Sequence, residues 1–384
     1  MKMFRFALAT FGMVGIIWSA EPALTREGAY WVQVLQGSEP LQPSTRIRIN
    51  SRGSVLCEGV PNRDLSYSLR VRVKARSEAE ARRLVRAFSV RLARPSSAHA
   101  TLTVQRGDGL ADLQVKAPKT AVETVVVSTE GALDLRDLDG SLTAETGGGA
   151  VNADRIHGNV VLRTAAGDIT LGTVGGSARC ATAGGKITAT LVRGEAAFET
   201  GGGDVFAQEV GGLVHATTMA GSIRIKRAGS AVIASTGGGP IDVGHAQGVV
   251  TAKNSAGPVK VGSAGGVRCE SVGAVHLDNI WGSVRVTTAI GSIIASLLAG
   301  KPMSDSFLST GSGDITVFIP SNVGVTVRAQ NELADSIRRI ISDFPGLNVR
   351  VEGGQVVAEG PVNGGGPILR ISGTGGTIFI KRQP

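Results

Sequence analysis

One glycine recurs in this sequence at a fixed period, and that period constrains the fold more than any other feature. Intervals of eighteen residues separate the glycines at positions 131, 149, 167, 185, 203, 221, 239 and 257. The series continues with Gly273, Gly291 and Gly313. A period of this length is typical of stacked structural repeats, because each unit can bury its apolar face only against its neighbours.

The residues after each glycine alternate between apolar and polar. Apolar residues stand two and four positions after it, as at Ile169 and Leu171, with a mostly polar residue between them. Alternation of period two indicates a strand with one buried face. A second glycine series half a period away is followed by the same pattern, as at Val160 and Leu162. Each unit therefore contains two short strands and two turns.

The constant period favours one coil per unit over a series of independent hairpins. Equivalent strands would then stack in parallel, about 4.8 Å apart. Hydrophobic residues make up 42% of the chain and aromatics only 4%, so small aliphatic side chains must fill the interior. We predict an all-β fold, a parallel β-solenoid with about ten 18-residue two-strand coils over residues 119–300.

A polar column accompanies the glycines. Threonines stand three residues before them, at Thr146, Thr164, Thr182, Thr200, Thr218 and Thr236. A catalytic threonine would be singular, so a threonine in every coil predicts a structural ladder at one corner, with hydroxyls bonded to each other and to the turn backbone. The corner glycines themselves are predicted to supply positive φ.

The segments on either side of the repeats are less regular. Residues 21–44, with three prolines, are predicted to be a linker, and residues 45–118 a small α+β unit with strands and a helix at 77–88. Ser77 and Glu80 have the spacing of a capping box for that helix. Residues 301–384 are predicted to end the solenoid and to cap it, with one helix at 331–344. Repeat arrays need such atypical ends to cover their open edges.

The first twenty residues have the pattern of a secretory signal peptide. Lys2 and Arg5 precede an apolar run from Phe6 to Trp18, and Ser19 and Ala20 are small residues suited to cleavage. We therefore predict an exported protein, periplasmic or at the cell surface. The alternative is an uncleaved N-terminal anchor, which would be the one membrane contact that the sequence suggests.

The chain carries a formal net charge of +9, and much of the excess lies between Arg46 and Arg106. An anionic partner such as lipopolysaccharide, phospholipid or nucleic acid is one interpretation, and a solvated basic surface is the simpler one. No aromatic residues alternate with these arginines to stack on bases, and export also argues against nucleic acid.

No cofactor or metal site is predicted. A calcium-binding β-roll needs an acidic ligand in nearly every turn, whereas Lys186 and Pro240 occupy that position in two of them. No glycine-lysine-serine or glycine-lysine-threonine follows the GGGDV phrase, and the histidines lack metal-ligand spacing. Cys180 and Cys269 lie five coils apart, too far for a disulfide, so we expect buried free thiols.

One set of outward-facing residues has the composition of a binding site. Charged or titratable residues follow one another on four successive coils, at Arg224, Asp242, Lys260 and His276, with Trp281 nearby to stack on a sugar. Enzymes that act on polysaccharides place carboxylates and cations in this way on adjacent coils. The simpler interpretation is an alternating, salt-bridged surface.

Several motifs resemble one bacterial family. They are the TGGGDV and AAGDITL repeats, STGSGDITVFIP (309–320) and NGGGPILRISGTGGTIFIKR (363–382). Over residues 45–384 the chain resembles the exported "putative adhesin" domain family of unknown function, related to the head domains of autotransporter adhesins. The resemblance implies a right-handed β-helix near the cell surface or in the periplasm, and it assigns no catalytic residues.

Two functions follow from these observations. The first is a non-enzymatic, adhesin-like protein or envelope interaction scaffold, whose partner is a cell-envelope glycan or a protein surface. The alternative is a glycan-binding or glycan-cleaving β-helix that uses the face around Arg224, Asp242, Lys260 and His276. Converging carboxylates in a cleft would favour the enzyme, and a flat surface of mixed charge would favour the scaffold.

Overall fold

The computed structural model describes residues 23–105, 107–332 and 339–383, so the predicted signal peptide 1–20 lies outside them. Within these ranges the chain is all-β apart from one helix, α1 (Glu78–Val85). Ser77 caps this helix, because its hydroxyl accepts a hydrogen bond from the Glu80 amide at 3.2 Å. The Glu80 carboxylate accepts one from the Arg76 amide at 2.8 Å, which completes a variant of the predicted capping box.

The strands divide into three groups along the chain. The first group is β1 (Thr25–Glu27), β2 (Tyr30–Pro40), β3 (Arg46–Ser51), β4 (Ser54–Val60), β5 (Asp64–Val73), β6 (Ser89–Ser96), β7 (His99–Gln105) and β8 (Leu110–Pro118). The repeat region contains β9 (Glu123–Ser128), β10 (Leu133–Arg136), β11 (Ser141–Thr146), β12 (Val151–Asp154), β13 (Val160–Thr164), β14 (Ile169–Val174), β15 (Ala178–Thr182), β16 (Ile187–Val192), β17 (Ala196–Thr200), β18 (Val205–Val210), β19 (Val214–Thr218), β20 (Ile223–Ala228), β21 (Val232–Thr236), β22 (Ile241–Asn254), β23 (Val259–Val261), β24 (Ala264–Ser271), β25 (Val275–Ile280), β26 (Val284–Thr288) and β27 (Ile293–Leu297). The last group is β28 (Ser306–Thr310), β29 (Ile315–Ile319), β30 (Val325–Asn331), β31 (Ile340–Ser342), β32 (Asn348–Glu352), β33 (Gln355–Val362), β34 (Ile368–Gly373) and β35 (Ile378–Arg382).

In the repeat region each strand pairs in parallel with the strand two places along the chain. Ile187 of β16 is in register with Ile169 of β14 and with Val205 of β18. β17 pairs with β15 and β19 in the same way. Two strands therefore complete one turn of the chain, called a rung below, and each rung lies in register on the one before. β22 continues through a turn and contributes to two successive rungs.

The rungs enclose one apolar interior and expose two faces. Ile169, Ile187, Val205 and Ile223 lie in one column and are at most 1% exposed. Face A carries the outward side chains of β10, β12, β14, β16, β18, β20, the first half of β22, and β23, β25, β27, β29 and β35. Face B carries those of β11, β13, β15, β17, β19, β21, the second half of β22, and β24, β26, β28, β34 and β30.

The corner glycines are required by close stacking more than by positive φ, so that prediction was wrong for most of them. Of the first series, Gly131, Gly291 and Gly313 adopt positive φ, at 100°, 153° and 133°. Gly185, like most members, does not, but a Cβ on it would collide with the carbonyl oxygen of Gly167 in the rung below. Successive turns stack backbone on backbone and leave no room for a side chain.

The N-terminal strands belong to the same stack as the repeats. β3 pairs in parallel with β9, and β4 with β10. On their other side, β7 pairs in parallel with β3 and β8 with β4. The order of rungs is therefore β7/β8, β3/β4, β9/β10, which differs from the chain order. Antiparallel strands end the stack here, with β6 beside β7 and β5 beside β8.

The C-terminal end repeats this change of order. β34 pairs in parallel with both β28 and β30, and β35 with both β29 and β31. The last two strands of the chain thus fill a rung between two rungs that precede them in sequence. The antiparallel strand β33 pairs with β30, and β32 pairs with β33, which closes this end.

Two predictions for the ends need correction. The predicted linker 21–44 contains β1 and β2 within its described part, and β2 pairs along its whole length with β5. The predicted helix 331–344 begins at the last residue of β30 and includes β31, so four of its eight described residues are in strands; residues 333–338 lie outside the described part of the chain. No helix of the described residues is long and apolar enough to cross a membrane.

Candidate functional site

The four residues predicted as a binding face lie in one file on face A. Arg224 is in register with Asp242, Asp242 with Lys260, and Lys260 with His276. Neighbouring strands of a sheet lie about 4.8 Å apart, so the file extends over roughly 15 Å. The parallel, in-register stacking of the rungs is what aligns them, because each residue stands at the same position of its own strand.

The carboxylates of this region already lie against basic side chains. Asp242 Oδ2 lies 3.5 Å from Arg224 Nε, and Asp278 Oδ1 lies 3.0 Å from His276 Nε2. All four side chains are at least one-third exposed. Such exposed pairs contribute at most about 1 kcal/mol each to stability. Lys260, between them in the file, makes no ion pair with any residue that the structure describes.

A shallow groove, called the face-A groove, adjoins the file. Its volume is about 490 Å³, and Asp242, Gly244, Lys260, Gly262, Asp278, Asn279, Ser296 and Gln383 line it. Gly244 and Gly262 lower its floor, because neighbouring rungs carry longer side chains at this position. Gln383 Oε1 is buried and has no hydrogen-bond partner among the described residues. The groove therefore offers carboxylate, ammonium and amide groups to a polar ligand.

Trp281 is not part of this groove. It follows the end of β25, and its backbone amide donates to the Ala264 carbonyl oxygen at 3.1 Å. Its indole lies beside Gly265, where an added Cβ would stand 3.4 Å from Nε1. The structure therefore places Trp281 at the turn next to β24, away from the residues that line the groove.

The threonine column lies at a buried corner. The hydroxyl of Thr200 donates to the Gly185 carbonyl oxygen of the preceding rung at 2.8 Å and accepts from the Gly203 amide at 3.1 Å. The same donated bond, at 2.8–2.9 Å, occurs at Thr146, Thr164, Thr182, Thr218 and Thr236. The hydroxyls thus join each turn to the turn below it through the backbone, and the structure gives them no bonds to each other.

The three cysteines are buried free thiols, as expected for Cys180 and Cys269. Burial raises the pKa of Cys57 to about 12, with a smaller contribution from Glu58, and raises the pKa of Cys269 to about 12, with a smaller contribution from Glu270. Burial also raises the pKa of Cys180. A buried thiol ionises with difficulty because the apolar interior disfavours its charged form, so none of the three is suited to nucleophilic chemistry.

The basic N-terminal segment is neutralised in part within the fold. Salt bridges link Arg46 to Glu123, Arg70 to Glu27, Arg72 to Asp112 and Arg94 to Glu39. Some of the positive charges in this segment therefore already have carboxylate partners. No group of three or more His, Cys, Asp or Glu side chains within the described ranges is placed to hold a metal ion.

Sequence reasoning found the file but missed most of the groove. Gly244 and Gly262 could have been noticed, since they replace the longer side chains of Gln208 and Lys226 in one outward column. Gln383 could not, because it reaches the groove only through the pairing of β35 with β29 at the C-terminal end.

No protein-family model matches this chain, and no curated protein does. One similar solved structure is a "putative cell adhesion protein" of Clostridium sporogenes, with 9% identity over 91% of this chain and 100% of that one and a TM-score of 0.18. A "putative adhesin" of Bacteroides fragilis has 11% identity over 91% and 97% and a TM-score of 0.22. A "putative adhesin" of Parabacteroides distasonis has 9% identity over 74% and 97% and a TM-score of 0.26.

Proposed function

We propose that this chain is an exported, right-handed parallel β-solenoid that works without catalysis, as an adhesin-like protein or envelope interaction scaffold. The parallel pairing of each strand with the strand two places along supports the solenoid. The handedness and the location rest on the resemblance of the repeats to the exported family. Residues 119–300 form its body, residues 45–118 and 301–384 its ends, and residues 1–20 its export signal.

The observation that supports the scaffold function is that the carboxylates of the face-A groove already have partners within the protein. A glycosidase needs two free carboxyl groups that face one bond of the substrate from opposite sides. Here Asp242 lies against the Arg224 guanidinium and Asp278 is hydrogen-bonded to the His276 imidazole, and the groove beside them is shallow and polar. An extended surface of mixed charge suits shallow contacts with a partner that lies along the stack.

The test is a binding array of glycans and envelope components, probed with the purified full-length protein. Release of reducing ends from the same glycans is measured in parallel. We expect binding to at least one component with no release above that of a buffer control. Reducing-end release that disappears in Asp242→Asn or Asp278→Asn would contradict a non-catalytic function.

The second candidate, a glycan-binding or glycan-cleaving function of face A, is favoured by the buried, unpaired amide oxygen of Gln383 in the groove. A sugar hydroxyl could donate to that oxygen, with Lys260 and Asn279 beside it. Lys260→Gln should then weaken glycan binding, whereas Lys226→Gln, on the same face outside the groove, should not. Equal affinities of the two variants for every glycan would exclude this site.

A further inference from the structure

A second file of residues, on face B near the C-terminal end, carries three exposed arginines. Arg268 of β24 is in register with Arg285 of β26, and Arg285 faces Phe307 of β28. Phe307 in turn faces Arg370 of β34. The three guanidinium groups are exposed and Phe307 is half-buried. We call these four residues the arginine file; at about 4.8 Å per strand it extends over roughly 15 Å, and beyond it Arg328 of β30 is in register with Arg370 but is paired with Glu359.

The positive charge of the arginine file is not neutralised within the protein. Arg268, Arg285 and Arg370 form no ion pair with the described residues. The acidic side chains on this part of face B are engaged elsewhere, Glu270 with Lys253 at 3.6 Å and Glu359 with Arg328 at 2.9 Å. Like charges in register on neighbouring strands destabilise a sheet. The file therefore costs folding free energy, which an external anion would recover.

The surroundings of the file add polar and apolar contacts. In the adjacent outward column Thr287, Ser309 and Ser372 are in register on successive strands, so a row of hydroxyls runs parallel to the arginines. At its C-terminal end the file enters a groove of about 340 Å³, which Phe307, Arg370 and Ser372 line together with Val357 and Glu359 of the antiparallel strand β33. β30 lies between β34 and β33 in this sheet, so the groove extends over β30 as far as β33.

We propose that the arginine file binds a linear acidic polysaccharide that lies along the stack. A guanidinium group binds a carboxylate or sulfate through two parallel hydrogen bonds, and arginines aligned along the stack, one and two strands apart, fit a linear polymer that carries many anions. The hydroxyl row can exchange hydrogen bonds with sugar hydroxyls, and the ring of Phe307 offers an apolar surface to a sugar face.

Other anionic partners fit the file less well. Single-stranded nucleic acid is held by successive aromatic side chains that stack on successive bases, whereas this file has one phenylalanine. A membrane surface is held by an apolar face that enters the lipid, whereas the arginines here stand beside hydroxyls. The proposal rests on the binding function above, lies on the opposite face from the face-A groove, and names the ligand class.

The test compares two double variants of the full chain. Arg285→Gln/Arg370→Gln removes the charges on both sides of Phe307. Arg163→Gln/Arg179→Gln removes the same number of exposed arginines from face B near β13 and β15, far from the file, and is the matched control. Oligogalacturonate supplies carboxylates, dextran sulfate supplies sulfates, and uncharged dextran tests the need for charge; affinity is measured at two salt concentrations.

We expect one of the two acidic polymers to bind the wild-type protein and uncharged dextran not to bind. The file variant should bind it at least about tenfold more weakly, since each lost guanidinium removes charge-assisted hydrogen bonds, and with a smaller dependence on salt. The control variant should stay within about twofold of wild type by the same reasoning. Cooperative thermal unfolding of both variants, with the file variant no less stable than wild type, shows that they are folded.

Equal affinities of the file variant and the control variant would overturn the proposal. So would tighter binding of oligothymidylate or of vesicles containing phosphatidylglycerol than of either acidic polymer. These failures leave the scaffold function standing, because that function is contradicted by other results: no binding to any component of the array, or reducing-end release that depends on Asp242 or Asp278.

Discussion

At the scale of single residues, the turns are held by two features that act together. Glycine allows the backbone of one turn to approach the turn below, and the threonine hydroxyl then bonds to the carbonyl oxygen of that lower turn. The 18-residue period is therefore enforced at the corner as well as in the apolar interior. Substitutions at the corner should disturb stacking even though they leave every core side chain in place.

Gly185→Ala should destabilise the protein by at least about 1–3 kcal/mol, because its methyl group would collide with the Gly167 carbonyl oxygen. Gly184→Ala is the matched control, since an added Cβ there meets nothing within 4 Å. Chemical denaturation of the two variants measures the difference in the free energy of unfolding. Equal stability of the two would show that close stacking is not what requires glycine at position 185.

Thr200→Val should cost about 1–3 kcal/mol, because it leaves the buried Gly185 carbonyl oxygen and the Gly203 amide without the hydroxyl that bonds to both. Thr170→Val is the matched control: it makes the same substitution at an exposed position of β14 on face A, away from these two backbone groups. Thermal unfolding compares the two variants, and a corner substitution no more harmful than the exposed one would contradict the role of the ladder.

The cysteines should be unreactive in the native protein. Their raised pKa values mean that at pH 8 a thiol reagent labels them only after denaturant is added. The same shifts predict a loss of stability at high pH. Between the ordinary thiol pKa and about 12, only the unfolded state releases the thiol protons, so the free energy of unfolding falls as pH rises through this range. Rapid labelling of any of the three in native buffer would contradict their burial.

At the scale of elements, the two ends of the stack differ from its middle in the order of their strands. At each end a rung is placed out of chain order, and antiparallel strands then cover the last parallel pair. A strand in such an inserted rung is paired on both sides, whereas β32 pairs only with β33. Position in the stack, more than position in the chain, should therefore determine local stability.

Hydrogen exchange should show this difference within the C-terminal segment. The amides of β34 (Ile368–Gly373) should exchange more slowly than those of β32 (Asn348–Glu352), although β34 lies nearer the end of the chain. Native-state exchange followed by mass spectrometry gives the comparison. Faster exchange in β34 would mean that the last rung is not held between β28 and β30.

The sequence predicts the middle of the molecule better than its ends, for a physical reason. The alternation of apolar and polar residues around Ile169, Ile187 and Val205 is a local signal. Because the period is constant, it also predicts which residues of successive strands lie in register. The insertion of β34 and β35 depends on pairing between segments distant in sequence, which no local pattern encodes. β2 was missed because its stability comes from pairing with β5, and the face-A groove because Gln383 reaches it from the end of the chain.

At the scale of the whole molecule, the stacking of the rungs determines how side chains are arranged on the surface. Equivalent positions on successive rungs form straight files, so a few side chains per strand become an extended surface. Face A presents a file whose one carboxylate, Asp242, is paired with Arg224, and face B presents arginines that form no ion pair with the described residues. Both binding proposals depend on this alignment, and they fail together if the rungs are not in register.

Distances between spin labels along face A test that alignment directly. Thr170 and Asp242 are four in-register strands apart, and Thr170 and Ile294 are seven. At about 4.8 Å per strand, labels on cysteines substituted at these exposed or half-exposed positions should be about 19 Å and about 34 Å apart in a double electron–electron resonance experiment. The buried native thiols should stay unlabelled. A separation that does not grow in proportion to the number of strands would contradict the stacked, in-register rungs.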